Sequence, residues 1–140
     1  MAADGGSRQT ILIVDDSSDD IEITKMALAE AGCPLEVLVA GSGEAAWALL
    51  QAAEELPTVI MLDMKTPGMS GLDTLRRIRA DAGLKHLPVI MVTASSREAD
   101  RLDAYESGAD GFLYKEIDLD AFTRELAALL PRLLGAVPHA

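Results

Sequence analysis

The chain has 140 residues, with 23 acidic against 12 basic side chains and a formal net charge of −11. So acidic a chain has no general attraction for DNA, RNA or an anionic membrane, while 49% hydrophobic residues suffice for the core of one domain. The single cysteine, Cys33, excludes an internal disulfide and a multi-cysteine zinc site. A small, polar N-terminus and no apolar run near the ~18 residues of a membrane span point to a cytoplasmic protein.

Residues 1–9 contain Gly5, Gly6 and Ser7 and no apolar period, and read as a flexible arm. A single domain is expected over 10–134, with a frayed tail over 135–140. The first strand spans 10–14 and stops at a run of acids and serines. Ser18 is placed to cap the following helix, with Asp19 and Asp20 at the positive end of its dipole. That helix runs to about Ala31, with Gly32 as its stop. A second strand over 35–40 leads to a helix opened by Ser42 and running to about Glu55. A third strand over 58–62 is followed by a Thr66-Pro67-Gly68 turn, and Ser70 with Asp73 resembles a capping box for a helix to about Ala80. A fourth strand over 88–92 begins at Pro88, where a missing donor matters least. Ser95 with Glu98 is a further capping pair, for a helix to about Glu106. A fifth strand over 111–114 precedes a helix capped by Asp118 that carries Leu126, Leu129 and Leu130, and Pro131 is expected to kink or end it.

Short apolar strands alternating with helices indicate a parallel sheet covered on both faces. Five βα units are too few for a closed barrel. The fold class is therefore α/β: a doubly wound five-stranded parallel sheet, flavodoxin-like, in the order 2-1-3-4-5.

Such sheets bind ligands beyond the carboxyl ends of their strands. Asp15 and Asp16 follow strand 1, Asp63 follows strand 3, Thr93 follows strand 4 and Lys115 follows strand 5. Three carboxylates at one rim repel one another unless a cation joins them, and a hard divalent ion such as Mg²⁺ suits oxygen ligands. Lys115 and Thr93 suit phosphoryl oxygens. Asp63, alone on its strand end between the two groups, is the candidate nucleophile for an aspartyl phosphate.

These residues, with the surrounding Ile11-Leu12-Ile13-Val14, Met61-Leu62, Pro67-Gly68-Met69-Ser70-Gly71, Val89-Ile90-Met91-Val92, Ala94 and Gly108-Ala109-Asp110-Gly111-Phe112-Leu113-Tyr114, resemble the receiver domain of two-component response regulators. The resemblance covers about 10–134. It implies a signalling switch rather than a dedicated enzyme, with Asp63 taking a phosphoryl group from a phosphohistidine on a sensor histidine kinase or phosphotransfer protein. It implies Mg²⁺ held by Asp16, Asp63 and the backbone carbonyl of Lys65, with Asp15 assisting through water. It gives Thr93 and Lys115 the phosphoryl oxygens and makes Thr93 and Phe112 the switch pair. The surface of helix 4, strand 5 and helix 5 would then choose a downstream protein partner, or pair two copies of the chain through Arg97, Arg101, Leu102 and Tyr105. No nucleic acid and no membrane enter this reading. The acidic segment Asp15-Asp16 to Asp19-Asp20 and the run Asp118-Leu119-Asp120-Ala121-Phe122 further resemble single-domain receivers paired with phytochrome-type kinases.

One departure is Glu116, where the family usually has proline after the lysine. Lys65 and Ser95 occupy positions that influence phosphoryl lifetime in that family. Three rival readings have sequence support. Gly41-Ser42-Gly43-Glu44-Ala45-Ala46 fits a dinucleotide-binding turn, with Asp63 at the spacing of its ribose acid. An aspartyl-nucleophile phosphatase is disfavoured because Asp63-Met64-Lys65 lacks the second acid. A receiver-like adaptor that works by contact alone remains as the alternative. His86 and His139 are not placed to act as bases.

Overall fold

The computed structural model describes residues 9–66, 68–94, 97–115 and 118–134. The elements in chain order are β1 (Thr10–Val14), α1 (Ser18–Glu30), β2 (Glu36–Ala40), α2 (Gly43–Ala52), β3 (Val59–Asp63), α3 (Gly71–Ala80), β4 (Val89–Thr93), α4 (Glu98–Glu106), β5 (Gly111–Tyr114) and α5 (Leu119–Leu133). The strands form one parallel sheet in the order β2-β1-β3-β4-β5. This is the doubly wound flavodoxin-like arrangement expected from the sequence. Except for Gln9, the expected arm and tail lie outside the described residues, as does Glu116.

The strands are apolar throughout because both faces of the sheet are covered. Leu12, Val14, Ile60, Leu62, Val89 and Met91 point to one side, where they pack with Ala46, Leu50, Leu75, Ile78 and Ala104 of α2, α3 and α4. Ile11, Ile13, Val59, Met61, Ile90 and Val92 point to the other, against Ala27 and Leu28 of α1 and Phe122, Leu126 and Leu130 of α5. The period-2 alternation thus feeds two cores from one run of residues.

Several boundaries differ from the sequence reading, each for a local reason. Ser17, not Ser18, caps α1: its hydroxyl accepts from the Asp20 amide at 3.2 Å. The turn is set one residue early because the Ser17 amide donates to Asp15 Oδ1 at 2.9 Å. Pro88 precedes β4, yet its carbonyl still accepts from the Ile60 amide at 3.0 Å. The N-cap of α4 is Arg97, with no side-chain cap bond, and Ser95 lies outside the described residues. α2 stops at Ala52, three residues short of Glu55, because Ala53 turns to extended backbone. Pro131 does not end α5, which runs on to Leu133. Its ring is exposed, so water can serve the carbonyl that loses a donor, while Leu130 stays buried and holds the last turn down.

Candidate functional site

The register carries the site residues to one rim. Asp63 and Thr93 are the last residues of β3 and β4, and they pair in register with Val92 and Tyr114 respectively. Asp15 leaves β1 with its amide tied to the Ala40 carbonyl at 3.0 Å. Lys115 leaves β5 with its amide on the Thr93 carbonyl at 2.9 Å, and the Met64 amide reaches the Val92 carbonyl at the same distance. These ladder bonds fix where each chain turns off the sheet, and so where each polar side chain emerges.

Asp63, Lys65, Thr93, Ala94 and Lys115 line a cleft of about 390 Å³. Asp15, Asp63 and Thr93 are 5%, 7% and 1% exposed, so their polar atoms need partners within the protein. Lys115 is the common partner of the carboxylates. Its Nζ lies 3.1 Å from Asp15 Oδ2, 3.2 Å from Asp63 Oδ2 and 2.6 Å from Asp20 Oδ2. Asp63 Oδ1 accepts from the Lys65 amide at 3.1 Å, which orients the carboxylate from below.

Charge follows from these contacts. Burial raises the Asp15 carboxyl above its ordinary 3.8, and the Ser17 amide and Lys115 counter this only in part. Burial alone would lower the Lys115 ammonium, but the carboxylates of Asp20, Asp15 and Asp63 outweigh it and hold the lysine well above its ordinary value.

Asp15, Asp16 and Asp63 each offer an oxygen, all within 4.8 Å of one another. Two of the three are buried and Asp16 is exposed at the edge. An all-oxygen set open on one side suits a hard cation that keeps part of its water shell. The residues present therefore fit Mg²⁺.

The loop after β3 is held from outside the site. Glu44 Oε2 accepts from the Met69 amide at 2.8 Å, and Thr66 Oγ1 donates to the Met69 carbonyl at 2.9 Å. Gly43 packs directly on this loop, with the Met69 carbonyl 2.6 Å from where its Cβ would be. Gly43 thus serves the close packing of α2 on this loop, whereas a Cβ at Gly41 would meet nothing within 4 Å; Asp63 pairs with Lys115, which does not favour the dinucleotide-binding turn.

Phe112 lies apart from the cleft. Its ring stands edge-on to Tyr114 with centroids 5.4 Å apart, and tilted against Tyr105 at 6.4 Å. It helps to line a groove of about 260 Å³ between α4 and α5 over β5.

The structure thus brings together Asp15, Asp16, Asp63, Lys65, Thr93 and Lys115, and separates Phe112. The sequence reading did not place Asp20 in the site. Its signal was helical spacing: Asp20 lies four residues before buried Thr24 and eight before buried Leu28, on the inward stripe of α1.

The profile of the response regulator receiver domain matches residues 11–127. CheY, a chemotaxis protein of Pseudomonas aeruginosa, is 34% identical over 125 residues, covering 89% of this chain and 98% of CheY. The chain belongs to the response regulator receiver domain family. The response regulator PleD of Caulobacter vibrioides is 38% identical over 108 residues, 77% of this chain, but this chain spans only 23% of PleD's length. Among solved structures, the phosphorylated cyanobacterial phytochrome response regulator RcpA superposes with a TM-score of 0.82 at 26% identity, covering 94% of this chain and 98% of RcpA. Receiver domains of this family are signalling switches of two-component systems that interact with histidine kinases or phosphotransfer proteins and with downstream targets. Among the described residues no helix is long and apolar enough to cross a membrane.

Proposed function

We propose that this receiver domain, taken as residues 10–134, accepts a phosphoryl group on Asp63 from a phosphohistidine of a sensor histidine kinase or phosphotransfer protein. The observation that carries this is the Asp63 carboxylate, buried at the end of β3 in an open cleft, 3.2 Å from Lys115 and beside the acidic pair. A carboxylate oxygen of Asp63 forms the new bond to phosphorus as the N–P bond of the donor breaks and its imidazole takes up a proton. The Lys65 amide holds the Asp63 carboxylate in place for this step. Asp15, Asp16 and Asp63, with the backbone carbonyl of Lys65, would hold Mg²⁺. Bound there, the metal supplies the positive charge that offsets the acidic cluster and the incoming phosphoryl group.

Lys115 and Thr93 then bind phosphoryl oxygens, one as a point charge and one as a hydroxyl donor. Thr93 ends β4 next to β5, so its movement towards the phosphoryl group bears on Phe112 and the groove beside it. Phosphorylation biases a two-state α4-β5-α5 surface for a downstream protein partner. Leu102 and Tyr105 are 50% and 42% exposed on that surface, where two copies of the chain could also pair. A cytoplasmic location goes with this reading, and phytochrome-type kinases are the donors favoured by the RcpA similarity.

The test is an ¹⁵N NMR titration of the protein with BeF₃⁻ and Mg²⁺. Shifts are expected at the rim and over α4, β5 and α5, and Asp63→Asn should abolish them. No Mg²⁺-dependent shift, or shifts that survive Asp63→Asn, would overturn the reading in favour of an adaptor that works by contact alone.

A further inference from the structure

We propose that Asp20 is a positioning residue for Lys115: it holds the ammonium in the resting state and thereby sets how readily that lysine transfers to a phosphoryl group on Asp63. This inference rests on the phosphoacceptor reading above.

Among the described residues, the shortest contact Lys115 makes to a carboxylate is not with the acceptor. Its Nζ is 2.6 Å from Asp20 Oδ2, against 3.1 Å from Asp15 and 3.2 Å from Asp63. An ammonium has three N–H donors, and among the described residues three carboxylates surround it. They are not equivalent. Asp15 and Asp63 belong to the cluster whose oxygens converge with those of Asp16. Asp20 does not, so neither a cation in that cluster nor a phosphoryl group on Asp63 gives it a new partner. When the other two carboxylates change occupation, Asp20 alone among the described residues still competes for the lysine.

Asp20 is also held firmly. Its amide donates to the Ser17 hydroxyl at 3.2 Å, and its carbonyl accepts from Thr24 Oγ1 at 3.0 Å. The contact joins the start of α1 to the end of β5, 95 residues away along the chain. A carboxylate in the first turn of a helix is common for its effect on the dipole alone. The exposed Asp19 beside it fits that description, whereas Asp20 is half-buried and takes the ammonium.

Two effects act in one direction when Asp20 loses its charge. Lys115 loses its tightest competing partner, and the phosphoryl anion loses a nearby negative charge. Asp20→Asn should therefore bind a phosphoryl mimic more tightly than the wild type. Allowing for the partial exposure of Asp20, the expected gain is about 3- to 10-fold.

The experiment titrates the full chain with BeF₃⁻ at saturating Mg²⁺ for wild type, Asp20→Asn, Asp20→Ala and Asp20→Glu, with thermal melts to confirm folding. Asn and Ala should both lower Kd, and Glu, which restores the charge, should return it towards wild type. In the free proteins, the Lys115 ammonium resonance should shift and broaden in Asp20→Asn, while the BeF₃⁻-bound resonance stays close to wild type. A purely structural role for Asp20 would not produce that pattern. An unchanged or raised Kd in both Asn and Ala, or an unchanged free-state resonance, overturns the proposal and leaves the phosphoacceptor reading standing. Failure of the wild type itself to bind BeF₃⁻ overturns both.

Discussion

Asp15 is buried beside a lysine and a second carboxylate, and its proton is bound more tightly in the folded chain than in the unfolded one. Its contribution to stability is thus fully present below about 3.8 and is lost as pH rises through the raised folded value. In the metal-free protein, wild type should lose stability relative to Asp15→Asn as pH rises through that window, measured by urea midpoints with a chelator present. Parallel pH profiles for the two proteins would contradict the cause given for the shift. Arg79 makes a different prediction, at the opposite end of the sheet. Its guanidinium donates to the carbonyls of Gly108, Lys85 and Leu87 at 2.9, 2.9 and 2.7 Å and pairs with Asp110 at 2.8 Å. Asp110 in turn accepts from the Val89 amide at 2.9 Å. The ion pair is partly exposed and counts for little, but the three carbonyls lose their donor together. Arg79→Ala should cost about 2–3 kcal/mol in urea unfolding, and Arg79→Lys should recover only part, because an ammonium lacks the fork geometry. A loss below about 0.5 kcal/mol, the usual limit for an uninvolved surface position, would show the hub to be dispensable.

Among the elements, α3 is where the fold meets the site. Gly71 opens the helix with no room for a side chain: a Cβ there would press on the Asp63 carbonyl and lie 2.8 Å from Met64 Cα, both of them backbone. Gly71→Ala should therefore push the start of α3 off the end of β3 and move Asp63. We expect a loss of more than ~1 kcal/mol in stability together with weaker BeF₃⁻ binding, read by urea unfolding and titration on one sample. Retention of both would show that the helix can shift without moving the acceptor. The five strands and the order of the sheet were legible because each strand is short, apolar and bounded by turn residues. Asp15, Asp63, Thr93 and Lys115 were legible because strand ends in a doubly wound sheet converge by topology. Less legible were the features set by tertiary contacts. The cap of α1 moved to Ser17 because Asp15 claims the Ser17 amide, a bond that does not exist until β1 stops where it does. Pro131 stayed helical because its exposed side tolerates a missing donor, and exposure is fixed by how α5 docks. At Asp20 the helix alone suffices to explain an acid, and only the packing of α1 against the sheet brings it to Lys115.

At the scale of the whole molecule, the four acidic side chains and one lysine that the described residues bring to a single rim leave an excess of negative charge. Any cation that binds the folded cluster and not the unfolded chain must stabilise the fold. Mg²⁺ at 100 times its Kd should add about 2.7 kcal/mol and raise Tm accordingly. Asp16→Asn should weaken that response and Asp63→Asn should reduce it further, while a comparable concentration of monovalent salt should not reproduce it. An equal Tm gain in all three proteins would place the cation elsewhere. The central claim, that Asp63 is a phosphoacceptor, is tested most directly by intact mass after incubation with acetyl phosphate and Mg²⁺. The account predicts a single added phosphoryl group that requires Mg²⁺ and is absent from Asp63→Asn. No mass gain in the wild type, or a gain that persists in Asp63→Asn, would contradict it.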